Sequence, residues 1–238
     1  RRVGRDRPGD LEPRDEAVVT AHVAQVRLVD AVRLVRLAVG PSSGGGFKGG
    51  DRRPLHLRPR HRIRRSPAHR SPARRLHALI DLIPILRSEV PAAHPSTAML
   101  GTERLGTGVA VAPDRVLTAH YLVLGADSVE VAGFDGRPRE VRRTLIDHES
   151  GFAVLVLDGP PLRPARTSGD PHPGLPVFLM SCTPERERKG TTGHVARIGP
   201  FEAFWEYMLD RAIITTAINP GLAGAPLFDP SGALLGLV

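Results

Sequence analysis

From position 98 to the end of the chain, short apolar runs alternate with turn residues every eight to twelve positions. This spacing is typical of an all-β sandwich or barrel. The segments PD at 113–114 and PSG at 230–232 have the residue types that tight turns require. The pattern predicts strands at 98–100, 108–112, 115–118, 128–132, 140–147, 153–157, 176–180, 190–198, 212–216, 226–228 and 234–238.

Upstream of position 96 the pattern changes. Apolar residues at 79, 82, 83 and 86 are spaced i, i+3, i+4 and i+7, which predicts a helix within 76–87 that Pro84 limits to a turn or two. A linker extends from there to position 95. Residues 51–75 hold ten arginines and almost no large apolar side chains, so they cannot bury enough surface to fold. We expect residues 1–75 to be an Arg/Pro-rich segment that is disordered or that results from a mis-assigned start.

The charge of the chain is unevenly distributed. Residues 1–76 carry 19 Lys and Arg against 7 Asp and Glu, whereas residues 77–238 carry 14 against 18. One hypothesis makes residues 51–75 an arm that binds an anionic polymer through salt-sensitive electrostatics. Because 31 of the 33 basic residues are arginine, a GC-rich coding sequence explains the basicity more simply, and nucleic acid is not the expected partner.

Several classes of protein are excluded by what the sequence lacks. Cys182 is the single cysteine, so an internal disulfide framework is not possible. No stretch approaches the roughly 20 apolar residues of a membrane span, and the first residues show no export signal, which slightly favours the cytoplasm. The histidines show no metal-ligand spacing on a predicted common face, so we expect no metal and no cofactor. The oligomeric state is not indicated.

Residues 200–211 (PFEAFWEYMLDR) hold most of the aromatic bulk of the chain. Two interpretations are open for this segment. It is either a short helix or loop near a cleft that rests on a partner peptide, or it packs against the neighbouring strands.

Three segments, taken in order, carry a resemblance. They are GTGVA at 106–110 running into VLTAH at 116–120, FAVL at 152–155, and AINPGLAGAPL at 217–227. Together they resemble the HtrA/Deg serine proteases, and more widely the trypsin fold. The resemblance implies an all-β, chymotrypsin-like double β-barrel over residues 96–238, preceded by a short helix and linker at 76–95 and truncated at its C-terminus.

The same resemblance implies that all three catalytic positions are replaced. Tyr121 stands at the histidine position, Gly151 at the aspartate position and Ala223 at the serine position. A histidine is present one residue early, at position 120, where a one-residue shift turns its side chain away from the cleft. The backbone amides of Gly221 and Ala223 are candidates for an oxyanion-type nest.

These replacements favour a catalytically inactive homologue, a pseudoprotease that binds a peptide or an unfolded protein. An active endopeptidase that uses His120 with an unconventional partner is an alternative, and the anionic-polymer binder through residues 51–75 is another. Without a nucleophilic atom at position 223 no acyl-enzyme can form there, which makes the inactive homologue the preferred hypothesis.

Overall fold

The computed structural model describes residues 22–24, 79–167, 170–203 and 207–238. These residues form two β-sheets, with a short helix at Thr97–Leu100 and a 3₁₀ turn at His120–Leu122. The strands are β1 (His22–Ala24), β2 (Ile85–Glu89), β3 (Glu103–Thr107), β4 (Val109–Ala112), β5 (Arg115–Ala119), β6 (Ser128–Ala132), β7 (Pro138–Asp147), β8 (Phe152–Leu157), β9 (Pro176–Cys182), β10 (Arg188–Ala203), β11 (Tyr207–Thr215), β12 (Pro226–Phe228) and β13 (Leu234–Leu237).

The first sheet has the strand order β3-β2-β6-β7-β8-β5-β4. Its two end strands are separated along the chain by Gly108 alone, so they are halves of one bent strand and the sheet curls into a barrel. Gly108 is required at the bend, because a Cβ there would lie 2.5 Å from Val116 Cγ1 and 3.0 Å from Leu86 Cδ1. Buried aliphatic side chains, among them Val116, Val131 and Leu155, fill the interior.

The second sheet has the order β1-β11-β10-β9-β12-β13. Its longest strand, β10, pairs with β9 along its first half and with β11 along its second half. The short strand β1 pairs with the outer edge of β11. A separate apolar cluster that includes Leu179, Ile213 and Leu227 forms the core of this half of the molecule.

A third cluster lies between the two sheets and holds them together. Phe152 and Val154 of the first sheet meet Met180, Cys182 and Phe228 of the second in one buried group. Burial of apolar surface stabilises the folded state by roughly 25 cal/mol for each Å² removed from water. The double β-barrel expected from the sequence is therefore confirmed.

Three local details differ from the sequence predictions. Residues 98–100 belong to the helix at Thr97–Leu100 and not to a strand. Residues 79–80 are helical before Pro84, whereas Ile85–Glu89, which the sequence assigned to the short helix and linker, is a strand between β3 and β6. The barrel therefore includes residues upstream of position 96. Strand Glu103–Thr107 was not predicted at all.

The described residues of the aromatic segment 200–211 form neither a helix nor an isolated loop. Its described residues extend the β10–β11 hairpin, with Phe201 paired with Leu209 and Glu202 paired with Met208. Of residues 1–75, only His22–Ala24 are described, so the expectations for the Arg-rich segment 51–75 lie outside the described residues.

Candidate functional site

Tyr121 and Gly151 are brought together by two neighbouring strands. Tyr121 lies in the 3₁₀ turn that follows β5, and Gly151 lies directly before β8. The two strands are antiparallel partners in which Ala119 pairs with Phe152, so these two ends meet. The backbone N–H of His120 donates to the carbonyl of Gly151 across this junction at 2.9 Å.

The turn at residues 147–151 is stabilised by its own side chains. The Asp147 carboxylate accepts hydrogen bonds from the Glu149 N–H at 3.2 Å and from the Ser150 hydroxyl at 2.7 Å. Gly151 closes the turn with a φ of +69°, in the left-handed region that favours glycine. The nearest carboxylate is thus engaged within the turn, and position 151 itself offers no side chain.

The loop at residues 219–224, which carries Ala223, is fixed from both barrels. The Ala223 carbonyl accepts the N–H of Thr107 from β3 at 2.7 Å. The N–H of Leu222 donates to the carbonyl of Cys182 at 2.8 Å, and the N–H of Gly224 donates to the carbonyl of Val238 at 2.6 Å. These backbone hydrogen bonds place Ala223 at the junction of the two sheets.

Leu122 connects this loop to the turn that carries Tyr121. The Leu122 side chain is buried, and its Cδ1 would contact a Cβ placed on Gly106 or on Gly224. Gly224 has a φ of +80°, and a Cβ there would also collide with the Thr107 carbonyl. The absence of a side chain at positions 106 and 224 therefore allows the 3₁₀ turn and the 219–224 loop to pack together.

The backbone of Gly221 is closely packed. Its N–H donates to Oδ1 of Asn219 at 3.2 Å, within the same loop. A Cβ at this position would lie 2.6 Å from Ser181 Oγ and would collide with the Cys182 carbonyl, so only glycine fits. An oxyanion-type nest of Gly221 and Ala223 amides stays a prediction, and it requires the Gly221 N–H to exchange Asn219 for a ligand.

His120 is buried, with 5% of its surface exposed, and its ring lies edge-to-face against two neighbours. The ring centroids are 6.2 Å from Tyr121 and 5.6 Å from His148. Burial lowers the pKa of His120; the hydrogen bond with Gly151 and the charge of Asp147 act in the opposite direction, while His148 lowers it further. The imidazole is therefore neutral at pH 7 and lies beside the 147–151 turn.

Arg104 is a site residue that sequence reasoning missed. It is 5% exposed, and its guanidinium donates to the carbonyls of Tyr121 and Leu124. One arginine among 31 has no motif around it, so only the three-dimensional structure distinguishes it from the rest.

Comparison with known proteins identifies the fold family. The family profile described as "Trypsin-like peptidase domain" matches residues 106–237, which is more than half of the chain. The protein belongs to the trypsin-like peptidase domain family.

The relatives of this trypsin-like domain are HtrA-type and related serine proteases. A probable periplasmic DegP-like serine endoprotease from Pseudomonas savastanoi pv. phaseolicola is 28% identical over 63% of the chain and 33% of its own length. Serine protease Rv3671c from Mycobacterium tuberculosis is 32% identical over 56% of the chain and 35% of its own length. The chain thus spans about a third of the curated relatives that it matches.

Solved structures give the same fold. The active form of the Rv3671c protease covers 81% of this chain and 82% of its own, at 21% identity and a TM-score of 0.58. The HtrA-type protease AlgW, solved with a decapeptide, covers 71% of this chain and 58% of its own, at 25% identity and a TM-score of 0.55. The domain therefore has the trypsin-like, HtrA-type serine protease fold.

Two properties of the described ranges concern ligands and membranes. No group of three or more His, Cys, Asp and Glu side chains in these ranges is arranged to hold a metal ion. No helix in them has the length and apolar character needed to cross a membrane.

Proposed function

We propose that this HtrA-like domain is catalytically inactive and binds extended peptides or unfolded protein segments in the cleft between its barrels. The observation that carries the proposal is the 219–224 loop. This loop holds Ala223 at the position where the resemblance to HtrA/Deg proteases calls for a serine. A methyl group cannot attack a carbonyl carbon, so no acyl-enzyme can form at this position.

The other two triad positions support the same conclusion. Glycine at position 151 has no carboxylate to orient or stabilise an imidazolium, and Asp147 accepts hydrogen bonds within its own turn. A phenol at position 121 does not replace the imidazole that accepts the nucleophile's proton in a triad. Loss of a triad leaves at most about 10³–10⁴-fold catalysis over water, which an ordinary protease assay does not detect.

Peptide binding is supported by the fixed backbone of the loop and by a structural relative. AlgW has been solved with a decapeptide and with a tripeptide. In the present chain the 219–224 loop keeps its main-chain contacts to both barrels although it has no catalytic side chain. A fold can retain binding after chemistry is lost, because the two depend on different atoms.

Restoring the triad tests the catalytic half of the proposal. The full chain is expected to leave fluorescein-labelled casein intact, whereas the triple variant Tyr121→His, Gly151→Asp, Ala223→Ser is expected to cleave it. Aspartate tolerates left-handed backbone better than most residues, so the φ of +69° at position 151 is compatible with the variant. Cleavage by the wild type that is lost in His120→Ala would show that the proposal is wrong.

The binding half is tested by the anisotropy of the same labelled casein titrated with full-length wild-type protein. Saturable binding is expected, and Ala223→Trp should abolish it by filling the cleft. Ala98→Trp, at an exposed position of the Thr97–Leu100 helix, is the matched control. Equal affinity in both variants would place any binding outside the cleft.

A second candidate function retains catalysis, with His120 as the general base. The observation that favours it is the position of the His120 ring beside the turn that contains Asp147 and Ser150, which are hydrogen-bonded at 2.7 Å. This function predicts labelling by a serine-directed fluorophosphonate that is lost in Ser150→Ala and His120→Ala. Absence of labelling in the wild type would rule out this second function.

A further inference from the structure

Strand β3 lies between the two halves of the site. Arg104 and Gly106 point to one side of this strand, and Thr107 points to the other, since side chains alternate along a strand. The first side faces the turn that carries Tyr121, where the glycine accommodates Leu122. On the second side, Thr107 Oγ1 donates to the Leu222 carbonyl at 3.2 Å and accepts the Cys182 N–H at 2.9 Å.

The Arg104 guanidinium holds the turn after β5 through backbone carbonyls of that turn. Its Nη1 donates to the carbonyls of Tyr121 and Leu124, the second at 3.0 Å. Its Nη2 donates to Ser96 Oγ at 2.6 Å, and its Nε makes a long contact of 3.4 Å with the Gly101 carbonyl. One side chain thus fixes both ends of the 121–124 segment.

This contact network extends into the loop between β2 and β3. Since Ser96 Oγ accepts from Arg104, its own proton is directed to Nδ1 of His94 at 2.7 Å. The His94 ring lies directly against Gly125, close enough that a Cβ there would collide with it. The segment 121–125 is therefore held by Arg104 on one side and by the His94 ring on the other.

The charge of Arg104 makes the arrangement specific. Burial lowers the pKa of Arg104, but a guanidinium stays protonated in proteins. Its described hydrogen bonds go to carbonyl and hydroxyl oxygens and not to a carboxylate. A buried cation that is stabilised by carbonyl dipoles requires those carbonyls to stay in place, so the turn and the guanidinium fix each other.

We propose that Arg104 is a positioning residue for the cleft, which holds the Tyr121 turn in a fixed position against the Ala223 loop so that a peptide can bind across the two. Arg104 acts through the backbone and does not contact the ligand. The role in ligand binding rests on the proposed function, whereas the effect on Tyr121 does not.

Fluorine NMR of the full chain tests the effect on Tyr121 directly. The protein has two tyrosines, so incorporation of 3-fluorotyrosine gives two resonances, which Tyr207→Phe assigns. Arg104→Met is expected to shift and broaden the Tyr121 resonance and to weaken binding of labelled casein about tenfold, or about 1.4 kcal/mol. Arg104→Lys, which keeps the charge but loses the planar fork, should recover only part of both effects.

Arg139→Met is the matched control. Arg139 is 3% exposed and, besides its ion pair with Asp135, donates to the backbone carbonyls of Pro160 and Arg137 in the same barrel. It should lower the melting temperature without moving the Tyr121 resonance or changing casein affinity.

Two outcomes would overturn the assignment: an unchanged Tyr121 resonance in Arg104→Met, or equal changes in Arg104→Met and Arg139→Met. If Arg104→Met does not fold, Arg104→Lys decides, and an unshifted resonance there overturns the proposal. If wild-type protein does not bind casein, the proposed function fails, while the fluorine spectra still decide the role of Arg104.

Discussion

The 219–224 loop and the 147–151 turn belong to the same candidate site but are held in different ways. The loop is fixed by backbone hydrogen bonds to Thr107, Cys182 and Val238, which belong to distant parts of the chain. The turn is fixed mainly by its own side chains, through the carboxylate of Asp147.

This difference shows which part of the site can change without loss of the fold. Long-range backbone contacts constrain the loop whatever side chain stands at position 223. The turn depends on local contacts, so its residues can be exchanged more freely. Substitutions in the two regions should therefore reduce the free energy of unfolding by different amounts, and three experiments test this difference.

The largest effect is expected at Gly224. Alanine there would collide with the Thr107 carbonyl and would lie 2.8 Å from Thr118 Oγ1, at a φ of +80°. Gly224→Ala should lower the free energy of unfolding by roughly 4 kcal/mol, measured by denaturant titration.

The control for this variant is Gly136→Ala. Gly136 has a similar φ of +69° but no atom within 4 Å of its Cβ position. It should cost only the backbone strain, about 1 kcal/mol. Equal costs at the two positions would mean that close packing does not constrain the loop.

An intermediate effect is expected at Thr107. Thr107→Val removes the hydroxyl that accepts the buried Cys182 N–H, and leaves that donor without its partner. The expected loss is about 2 kcal/mol of unfolding free energy. Thr144→Val, on an exposed part of β7, should be nearly neutral. A neutral Thr107→Val would show that the loop does not need this contact.

The smallest effect is expected on the turn side, and it depends on pH. Burial lowers the pKa of His120 in the folded protein. As the pH falls below the ordinary histidine pKa of about 6.5, this side chain therefore binds a proton in the unfolded chain before it does so in the folded protein. The unfolded state then holds more protons, so stability falls with acid.

Denaturant titrations between pH 7 and pH 5 measure this slope. His120→Gln should lose stability less steeply over this range than the wild type does. His172→Gln, at an exposed histidine, should keep the wild-type slope. A wild-type slope in His120→Gln would mean that the buried imidazole is not neutral.

Much of the fold could be predicted because its strands alternate regularly with turns. Strands 128–132 and 226–228 begin and end where the pattern placed them. Strand Ile85–Glu89 was misread because its buried Leu86 continues the helix-like spacing of Leu79, Leu82 and Ile83, and its alternation of exposed and buried residues covers only Arg87–Glu89. The β10–β11 hairpin was predicted only in part, as strands 190–198 and 212–216, because the aromatic residues that extend it favour more than one local structure.

The site was predictable only as far as sequence motifs reach. The motifs locate Tyr121, Gly151 and Ala223 along the chain, and the strand pairing explains why they lie in one region. Arg104 and Leu122 could not be predicted, since their roles depend on carbonyls and glycines that are distant in sequence. Contacts between a side chain and a remote backbone atom leave no local pattern.

The buried thiol of Cys182 offers a way to time how often the barrels separate. It is fully buried in the cluster between the sheets, with its Sγ 3.9 Å from the Ile83 carbonyl, and burial raises its pKa. A thiol reagent can reach it only after this cluster has opened. Because Cys182 is the single cysteine of the chain, the rate at which a thiol reagent modifies it measures how often this interface opens, independent of any ligand.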